Sequence, residues 1–213
     1  MPEQEIIYDR AAAVRYALRY WNDPNPAFAN MDTFGGGGDC TNFTSQALLA
    51  GGWPMDYRQT GYYTEWWYRR IGLDPYDADA NDWWSCTWSV PENQFHYLNF
   101  NYAQMIDLTA RPQEIRLVEL GDIIYYDWYG RGRLGHSAIV TAFDRFSRPL
   151  VTYRTLAPRD PQRNVPWHLR FRGNARRIFA LHLPSRADVT RTQPNWNRLV
   201  PCESRRGQRP ATQ

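Results

Sequence analysis

The hydrophobic pattern of this 213-residue chain changes near Pro112, and that change constrains the fold more than any other feature of the sequence. Before Pro112, apolar residues recur at the three- and four-residue spacing of helices. After it, short apolar segments bounded by Gly, Pro and Asp indicate β-strands. The predicted strands are Asp122–Asp127, His136–Phe143, Leu150–Thr155 and Arg177–Leu183.

The segments before Pro112 differ in how clearly they indicate structure. Asp9–Trp21 predicts a helix, because Asp9 suits the N-cap and an Asn- and Pro-rich segment follows the last apolar position. Residues 53–88 mix Gly, Pro, Asp and aromatics without a clean period, which predicts a long ordered insertion that walls a cleft. Val90–Ile106 has a weak helical pattern.

A four-glycine segment, Gly35–Gly38, leads into a second predicted helix that begins at Cys40 and ends near Ala50. Asp39 suits its N-cap. A thiol at a helix N-terminus lies in the positive field of the helix dipole and beside unpaired N–H groups, which lower its pKa and can stabilise an oxyanion. Cys40 is therefore a candidate nucleophile. The alternative is that it is a small buried hydrophobe beside a flexible turn.

His136 opens the second predicted strand and is the candidate base for a cysteine nucleophile. Asp144–Pro149 predicts a hairpin turn centred near Phe146. Because side chains alternate along a strand, this register predicts one shared face. The residues of that face are His136, Ala138, Val140, Thr152 and Arg154.

The composition predicts one well-buried domain, since 43% of the residues are hydrophobic. We assign residues 1–185 to this domain and residues 186–213, which are rich in Arg and Pro, to a C-terminal tail with little structure of its own. No apolar run reaches the ~18 to 20 residues that span a bilayer. The first five residues lack the basic start and apolar stretch of a secretory signal.

Charge and aromatic content say less about the binding partners of the chain. All 25 basic residues are arginine and the net charge is only +3, with no nucleic-acid recognition motif, so a solvated basic surface is expected rather than a nucleic-acid partner. Aromatic residues make up 15% of the chain. They line a groove for sugars or peptides or fill the core, and the sequence leaves both interpretations open. The clusters are Tyr62-Tyr63, Trp66-Trp67-Tyr68, and Trp83-Trp84 with Trp88.

Several short motifs between Tyr8 and Leu183 are similar to one bacterial family. The chain resembles the putative amidase domain family, which is related to the NlpC-like and CHAP peptidoglycan peptidases. The motifs that carry the resemblance include Tyr8-Asp9-Arg10, Gly38-Asp39-Cys40-Thr41-Asn42-Phe43, Ser45-Gln46, Ser85 with Trp88, Gly121-Asp122-Ile123 and His136-Ser137-Ala138-Ile139-Val140-Thr141.

The resemblance implies an α+β fold of the papain-like type, with N-terminal helices packed on an antiparallel β-sheet. It implies that Cys40 is the nucleophile and His136 the base in hydrolysis of amide bonds in cell-wall peptides or similar substrates. Asp39, Asn42 and Trp88 belong to the shared motifs, and we assign them to substrate binding. No cofactor or metal is expected.

One position departs from the family pattern. Relatives carry a polar residue after the histidine strand that orients the imidazole, and the resemblance places Arg154 there. Arginine has donors but no acceptor for the histidine N–H. Arg154 is thus the third candidate catalytic residue. The other candidates for the orienting role are Thr152, Thr155, Asp160 and Asn164.

Two alternatives to an amide hydrolase stay open. A transpeptidase or acyltransferase would use the same acyl intermediate with an amine acceptor, and a catalytically impaired chain would only bind. Three cysteines, Cys40, Cys86 and Cys202, cannot all pair, and none forms a C-x-x-C motif, so a reducing compartment is expected. We therefore expect a protein that is cytoplasmic as synthesised, and action at the wall would require non-classical release.

Overall fold

The computed structural model describes residues 3–34, 38–58, 62–71, 82–155, 162–169, 175–190 and 192–202. Four α-helices lie in these ranges: α1 (Arg10–Tyr20), α2 (Cys40–Ala50), α3 (Cys86–Ser89) and α4 (Pro91–Asn101). The same ranges contain ten strands, which are β1 (Glu3–Ile7), β2 (Tyr68–Arg69), β3 (Trp83–Trp84), β4 (Gln104–Asp107), β5 (Ile123–Asp127), β6 (His136–Phe143), β7 (Pro149–Thr152), β8 (Val165–Pro166), β9 (Arg177–His182) and β10 (Arg186–Thr190).

The central element is a six-stranded antiparallel sheet with the order β4-β9-β5-β6-β7-β8. One face packs against the helices, where Phe43 of α2 and Leu98 of α4 join Ile139 of β6 in one apolar cluster. The opposite face carries a second cluster that includes Ala138 and Val140. The expected α+β fold, with helices on an antiparallel sheet, is confirmed.

Both predicted N-terminal helices form where the sequence indicated. Asp9 caps α1, since its Oδ1 accepts a hydrogen bond from the Ala12 N–H at 2.8 Å. Gly52, just after α2, has a left-handed φ of 93°. A side chain is sterically excluded at Gly51, because a Cβ there would lie 2.4 Å from Cε2 of Tyr8. The aromatic ring of Tyr8 can therefore pack directly on the end of α2.

The four strands predicted after Pro112 are confirmed as β5, β6, β7 and β9. The β6–β7 turn is also confirmed, because Phe143 pairs with Pro149 and the turn is centred on Phe146. A β-bulge between Val140 and Ala142 then shifts the register of the pairing.

The bulge overturns the predicted shared face. Ile139, rather than a neighbour on the His136 face, pairs with Thr152. Because side chains alternate with a period of two, a shift of one residue exchanges the two faces of the sheet. Thr152 and Arg154 therefore do not share a face with His136.

Two other segments differ from their sequence patterns. The weak helical pattern of Val90–Ile106 is a helix only over Pro91–Asn101, and Gln104–Asp107 forms the edge strand β4. The described tryptophans of the 53–88 segment fill the core rather than a groove, with the exception of the half-buried Trp83. The buried members are Trp53, Trp66, Trp67, Trp84 and Trp88.

Cys86 and Cys202 form a disulfide across 116 residues of sequence, which leaves Cys40 as the free thiol. The pair argues against the reducing compartment that was expected because three cysteines cannot all pair and none forms a C-x-x-C motif. Stable disulfides are typical of oxidising compartments. The sequence could not reveal this pair because two cysteines so far apart carry no local spacing signal.

The C-terminal segment is more ordered than predicted. β10 pairs along its whole length with β1. Trp196 packs against Trp67 with ring centroids 5.8 Å apart, and the guanidinium of Arg69 lies 4.6 Å from the Trp196 ring centroid. The expectation of little structure after residue 185 is therefore wrong for residues 186–190 and 192–202. Residues 203–213 of the proposed tail lie outside the described residues.

Among the described helices, none has the length and apolar content that crossing a membrane requires.

The disulfide predicts a specific thiol count. Denatured protein that has not been reduced should titrate with one thiol per chain, and reduced protein with three. Because the bond ties residue 202 to α3, Cys86→Ser should lower the free energy of unfolding by about 2–5 kcal/mol in urea denaturation. Cys40→Ala is the control, and it should titrate with no thiol before reduction. Three thiols in unreduced wild-type protein would contradict the pairing.

Candidate active site

Cys40 is the first residue of α2, as predicted, and it lies against the start of β6. Its side chain is buried, with 6% exposed. The sulfur lies 3.7 Å from Oγ1 of Thr41, and both Ser137 and Thr41 lower the pKa of the thiol from close by. The first N–H groups of a helix have no intrahelical partner. Cys40 therefore combines a thiol with free backbone donors.

The first residues of β6 point to opposite faces of the sheet. Ser137 faces α2, where its Oγ lies 3.1 Å from Oγ1 of Thr41 and 3.4 Å from Oγ1 of Thr44. His136 precedes Ser137 in the strand, so its side chain faces the other way. The structure thus brings Ser137, rather than His136, to the cysteine.

The environment of Cys40 reverses the expected direction of its pKa. Burial raises the pKa of the thiol, and hydrogen bonds from Ser137 and Thr41 offset only part of that effect. The sequence predicted a lowered pKa from the helix N-terminus alone. Desolvation disfavours the thiolate more strongly in this enclosed position. The resting thiol is therefore protonated at neutral pH.

His136 lies among aromatic rings on the face of the sheet away from α2. Its ring centroid is 4.6 Å from that of Tyr153, 5.6 Å from Tyr126 and 5.7 Å from Trp128. Within the described part of the chain, the imidazole has these ring neighbours but no hydrogen-bond partner. Burial lowers the pKa of His136 to about 3, so the imidazole is neutral in the folded protein.

Arg154 is ion-paired with Asp39 through Nε and Nη2, and both side chains are buried. Its Nη1 also donates to the Tyr20 carbonyl at 3.2 Å, and its guanidinium carbon lies 5.3 Å from the Phe43 ring centroid. Arg154 is thus beside the N-terminus of α2 and not beside His136. The sequence placed Arg154 with the histidine because the β-bulge was not visible in it.

The three residues assigned to substrate binding form a buried network beneath the cysteine. Asn42 Nδ2 donates to Asp39 Oδ1 and to the Ala29 carbonyl, both at 2.7 Å, and Asn42 Oδ1 accepts from Trp88 Nε1 at 2.7 Å. Asp39 also accepts the Met31 N–H at 2.9 Å, and its carboxylate makes no capping bond to α2. All three side chains are buried and hold the start of the cysteine helix, and their role in substrate binding stays a prediction.

Three of the other proposed orienting residues, Thr152, Thr155 and Asn164, are engaged elsewhere. Thr141 Oγ1 bonds both Thr152 Oγ1 at 2.6 Å and Asn164 Oδ1 at 2.8 Å. Thr155 bonds Gln162 through its backbone. Asp160 lies outside the described residues.

Sequence reasoning missed the two residues that do contact the sulfur, Thr41 and Ser137. Both stand inside quoted motifs, directly after Cys40 and His136, but their roles follow only from the alternation of β6 against α2. In the part of the chain that the structure describes, no group of three or more His, Cys, Asp or Glu side chains could hold a metal ion.

Comparison with known proteins gives one family and two relatives. The profile of the family described as Putative amidase domain matches residues 7–181. The uncharacterized protein YhbB of Bacillus subtilis strain 168 is 36% identical over 151 residues, which cover 70% of this chain and 42% of YhbB. The uncharacterized protein YjcM of the same strain is 31% identical over 142 residues, which cover 63% of this chain and 28% of YjcM. The chain thus spans less than half the length of either relative. No solved structure gives a significant match.

The Asp39–Arg154 pair should be strongly coupled in stability. Arg154→Gln leaves the Asp39 carboxylate buried without a counter-charge, and should lower the free energy of unfolding by about 3–5 kcal/mol. The double variant Asp39→Asn/Arg154→Gln should lose clearly less than the sum of the two single variants. Urea denaturation measures all three. Arg15→Gln, which removes only an exposed pair with Asp9, is the control and should cost less than about 1 kcal/mol. Additive losses would contradict the coupling.

The lowered pKa of His136 predicts a pH-dependent stability. The unfolded chain takes up this proton at the ordinary value of 6.5, while the folded chain resists it down to about 3. The stabilising contribution is therefore complete above pH 6.5 and is lost as the pH falls toward 3. His136→Phe keeps an aromatic ring but no titrating group. In urea denaturation the wild type should lose up to about 3 kcal/mol more than this variant between pH 7 and pH 4. The pKa of His182 is raised by Asp122, so its opposite contribution is common to both proteins. Identical slopes would contradict the buried neutral imidazole.

Proposed function

Because the chain belongs to the putative amidase domain family, we propose that it hydrolyses amide bonds through an acyl intermediate on Cys40, with His136 as the base. The family supports amide hydrolysis in general, and the choice of a thiol nucleophile is our inference from the site. Cys40 is the single free cysteine of the sequence, and the nucleophile position at a helix N-terminus suits the chemistry.

One observation carries the proposal. Cys40 contacts Thr41 at 3.7 Å, the Thr41 hydroxyl oxygen lies 3.1 Å from that of Ser137, and Ser137 follows His136 directly in β6. The chain neighbour of the proposed base is therefore packed beside the nucleophile. A catalytic hydrogen bond is often long or misaligned before substrate binds and tightens in the complex.

The proposed reaction has two half-reactions. His136 takes the thiol proton as the Cys40 sulfur attacks the carbonyl carbon, and the oxyanion accepts a hydrogen bond from the Cys40 backbone N–H. The C–N bond breaks when the imidazolium gives its proton to the leaving amine. Water then attacks the thioester with the imidazole as base, which releases the acid and restores the thiol.

The resting geometry requires a rearrangement before this chemistry. The thiol has a raised pKa and the imidazole a lowered one, so proton transfer between them is unfavourable while both are buried. Binding of a substrate that draws His136 out of its ring pocket would restore the ordinary basicity of the imidazole. We propose that substrate binding supplies this step.

We propose peptides of the cell wall, or related amides, as the substrate class. The support is the likeness of the Gly38–Phe43 and His136–Thr141 motifs to the putative amidase domain family, which the resemblance relates to peptidoglycan peptidases. The Cys86–Cys202 disulfide is compatible with action in an oxidising compartment. The buried tryptophans give no additional support, because they do not line an aromatic groove.

A binding protein without turnover is the second candidate, and a specific observation favours it. His136 has no hydrogen-bond partner among the described residues, and Arg154, at the expected orienting position, is held by Asp39. A chain that retains the fold but cannot orient its histidine would bind a wall peptide without cleaving it.

Turnover separates these candidates. Purified peptidoglycan is incubated with the protein, and newly released amino groups are measured after derivatisation. Cys40→Ala and His136→Gln should each lower kcat by at least about a thousandfold, and the double variant should be little worse, since the two residues act as a unit. His96→Gln is the matched control, because His96 is a half-exposed residue of α4, and its kcat should be unchanged.

The remaining outcomes decide against the proposal or refine it. Binding of the peptidoglycan without release of amino groups from wild-type protein supports the second candidate. Activity that survives in Cys40→Ala refutes the thiol nucleophile. Product that incorporates an added amine, in preference to water, identifies an acyltransferase on the same intermediate.

A further inference from the structure

We propose that Ser137 and Thr41 are positioning residues that stabilise the thiolate form of Cys40, once the thiol proton has been removed, through a cradle of hydrogen bonds. The cradle consists of the Ser137 N–H, the Ser137 hydroxyl and the Thr41 hydroxyl. This inference rests on the proposed function, because it assigns the groups that stabilise the nucleophile of that reaction.

The hydroxyl geometry supports the cradle. Thr41 Oγ1 lies 3.7 Å from the sulfur and 3.1 Å from Ser137 Oγ, and both residues are fully buried. Two hydroxyl protons are thus shared among two oxygens and one sulfur. Whichever hydroxyl donates to the other, the second retains a proton that can be directed to the sulfur. A buried thiolate therefore has a donor in either arrangement.

Most of the neighbouring polar groups are bonded to one another. Gln94 Oε1 already accepts hydrogen bonds from Thr44 Oγ1 at 3.0 Å and from Tyr125 O–H at 2.7 Å. Gln94 Nε2 donates to Ser45 Oγ at 2.7 Å. Thr44 Oγ1 also lies 3.4 Å from Ser137 Oγ and can exchange a hydrogen bond with it, whereas the Thr41 hydroxyl contacts the sulfur and Ser137 Oγ.

The backbone of β6 supplies the third donor. The Val140 N–H donates to the Asp122 carbonyl on the β5 side, so the alternate N–H groups of Ser137 and Ile139 point toward β7. The β6–β7 ladder ends at the pair of Ile139 and Thr152. That ladder pairs no β7 residue with Ser137. The Ser137 N–H is therefore available to Cys40, and it lowers the pKa of the thiol.

In this arrangement His136 and the cradle residues have different roles. His136 removes the thiol proton, and the groups of Ser137 and Thr41 stabilise the negative sulfur that remains. The division matters in this site because burial opposes charge on the thiol. Hydrogen bonds to a charged group are the strongest compensation here, because no positive side chain of the described residues contacts the sulfur.

The pH dependence of alkylation tests the cradle directly. Folded protein is treated with iodoacetamide over a pH series, and modification of Cys40 is followed by mass spectrometry, with Cys86 and Cys202 protected by their disulfide. Ser137→Ala and Thr41→Val should each shift the midpoint of the rate profile upward by about one pH unit, because each removes one hydrogen bond to the charged form. Thr41→Ser should return the midpoint to the wild-type value.

Ser45→Ala is the matched control. Ser45 is fully buried in the same helix, but its hydroxyl bonds the Trp88 carbonyl and Trp66 Nε1 and does not reach the sulfur. Its midpoint should equal that of the wild type. Unshifted midpoints in both Ser137→Ala and Thr41→Val would overturn the proposal, and so would an equal shift in Ser45→Ala, which would indicate general loosening.

The alkylation readout is independent of turnover. If the wild type releases no amino groups from peptidoglycan but the variants show the shifted midpoints, the cradle is supported and only the proposed function is contradicted. If the wild type hydrolyses peptidoglycan but the midpoints of the variants are unshifted, the proposed function is supported and the cradle is contradicted.

Discussion

The buried ion pair between Asp39 and Arg154 is the interaction on which the geometry of the site depends. It joins the residue before α2 to the segment that leaves β7, two parts of the chain 115 residues apart. Moving two charges out of water is costly unless their other donors and acceptors are also hydrogen-bonded. Here the Asp39 carboxylate accepts hydrogen bonds from Asn42 Nδ2 and the Met31 N–H, and the Tyr20 carbonyl accepts one from the guanidinium. The first turn of α2, and with it the thiol, is therefore fixed in position before any substrate arrives.

The sequence predicted the elements better than their register. The helices at Arg10 and Cys40 and the strands at His136 and Arg177 follow from caps, glycines and apolar spacing, which are local properties. The β-bulge after Val140 is not a local property, because it depends on which strands pair and on where their hydrogen-bond ladder is interrupted. That single extra residue exchanged the faces of β7 and separated Arg154 from the imidazole that it was expected to orient.

The electrostatics of the candidate site could not be predicted fully from local sequence patterns either. The position of Cys40 at a helix N-terminus was correct, but the direction of its pKa depends on burial by α2, α4 and the sheet, which no local pattern reports. The motif residues Asn42 and Trp88 were identified by resemblance, and in the structure they bond each other in the interior. The disulfide lay beyond sequence reasoning for a related reason, since Cys86 and Cys202 lie 116 residues apart and are brought together only by the fold.

Under the proposed function, the nucleophile and the base are held by different parts of the fold. The connection between β5 and β6 holds the base: the Asp127 carboxylate accepts backbone N–H groups from residues 129–132, and Glu92 accepts the Leu134 N–H at 2.8 Å. Trp128 lies in this connection and packs on His136. The thiol, in contrast, is fixed by helices and by the interior of the sheet. A rearrangement that brings the imidazole to the sulfur would displace this connection rather than the first turn of α2, because the connection carries solvent-exposed turn residues such as Tyr129 whereas that helical turn is buried.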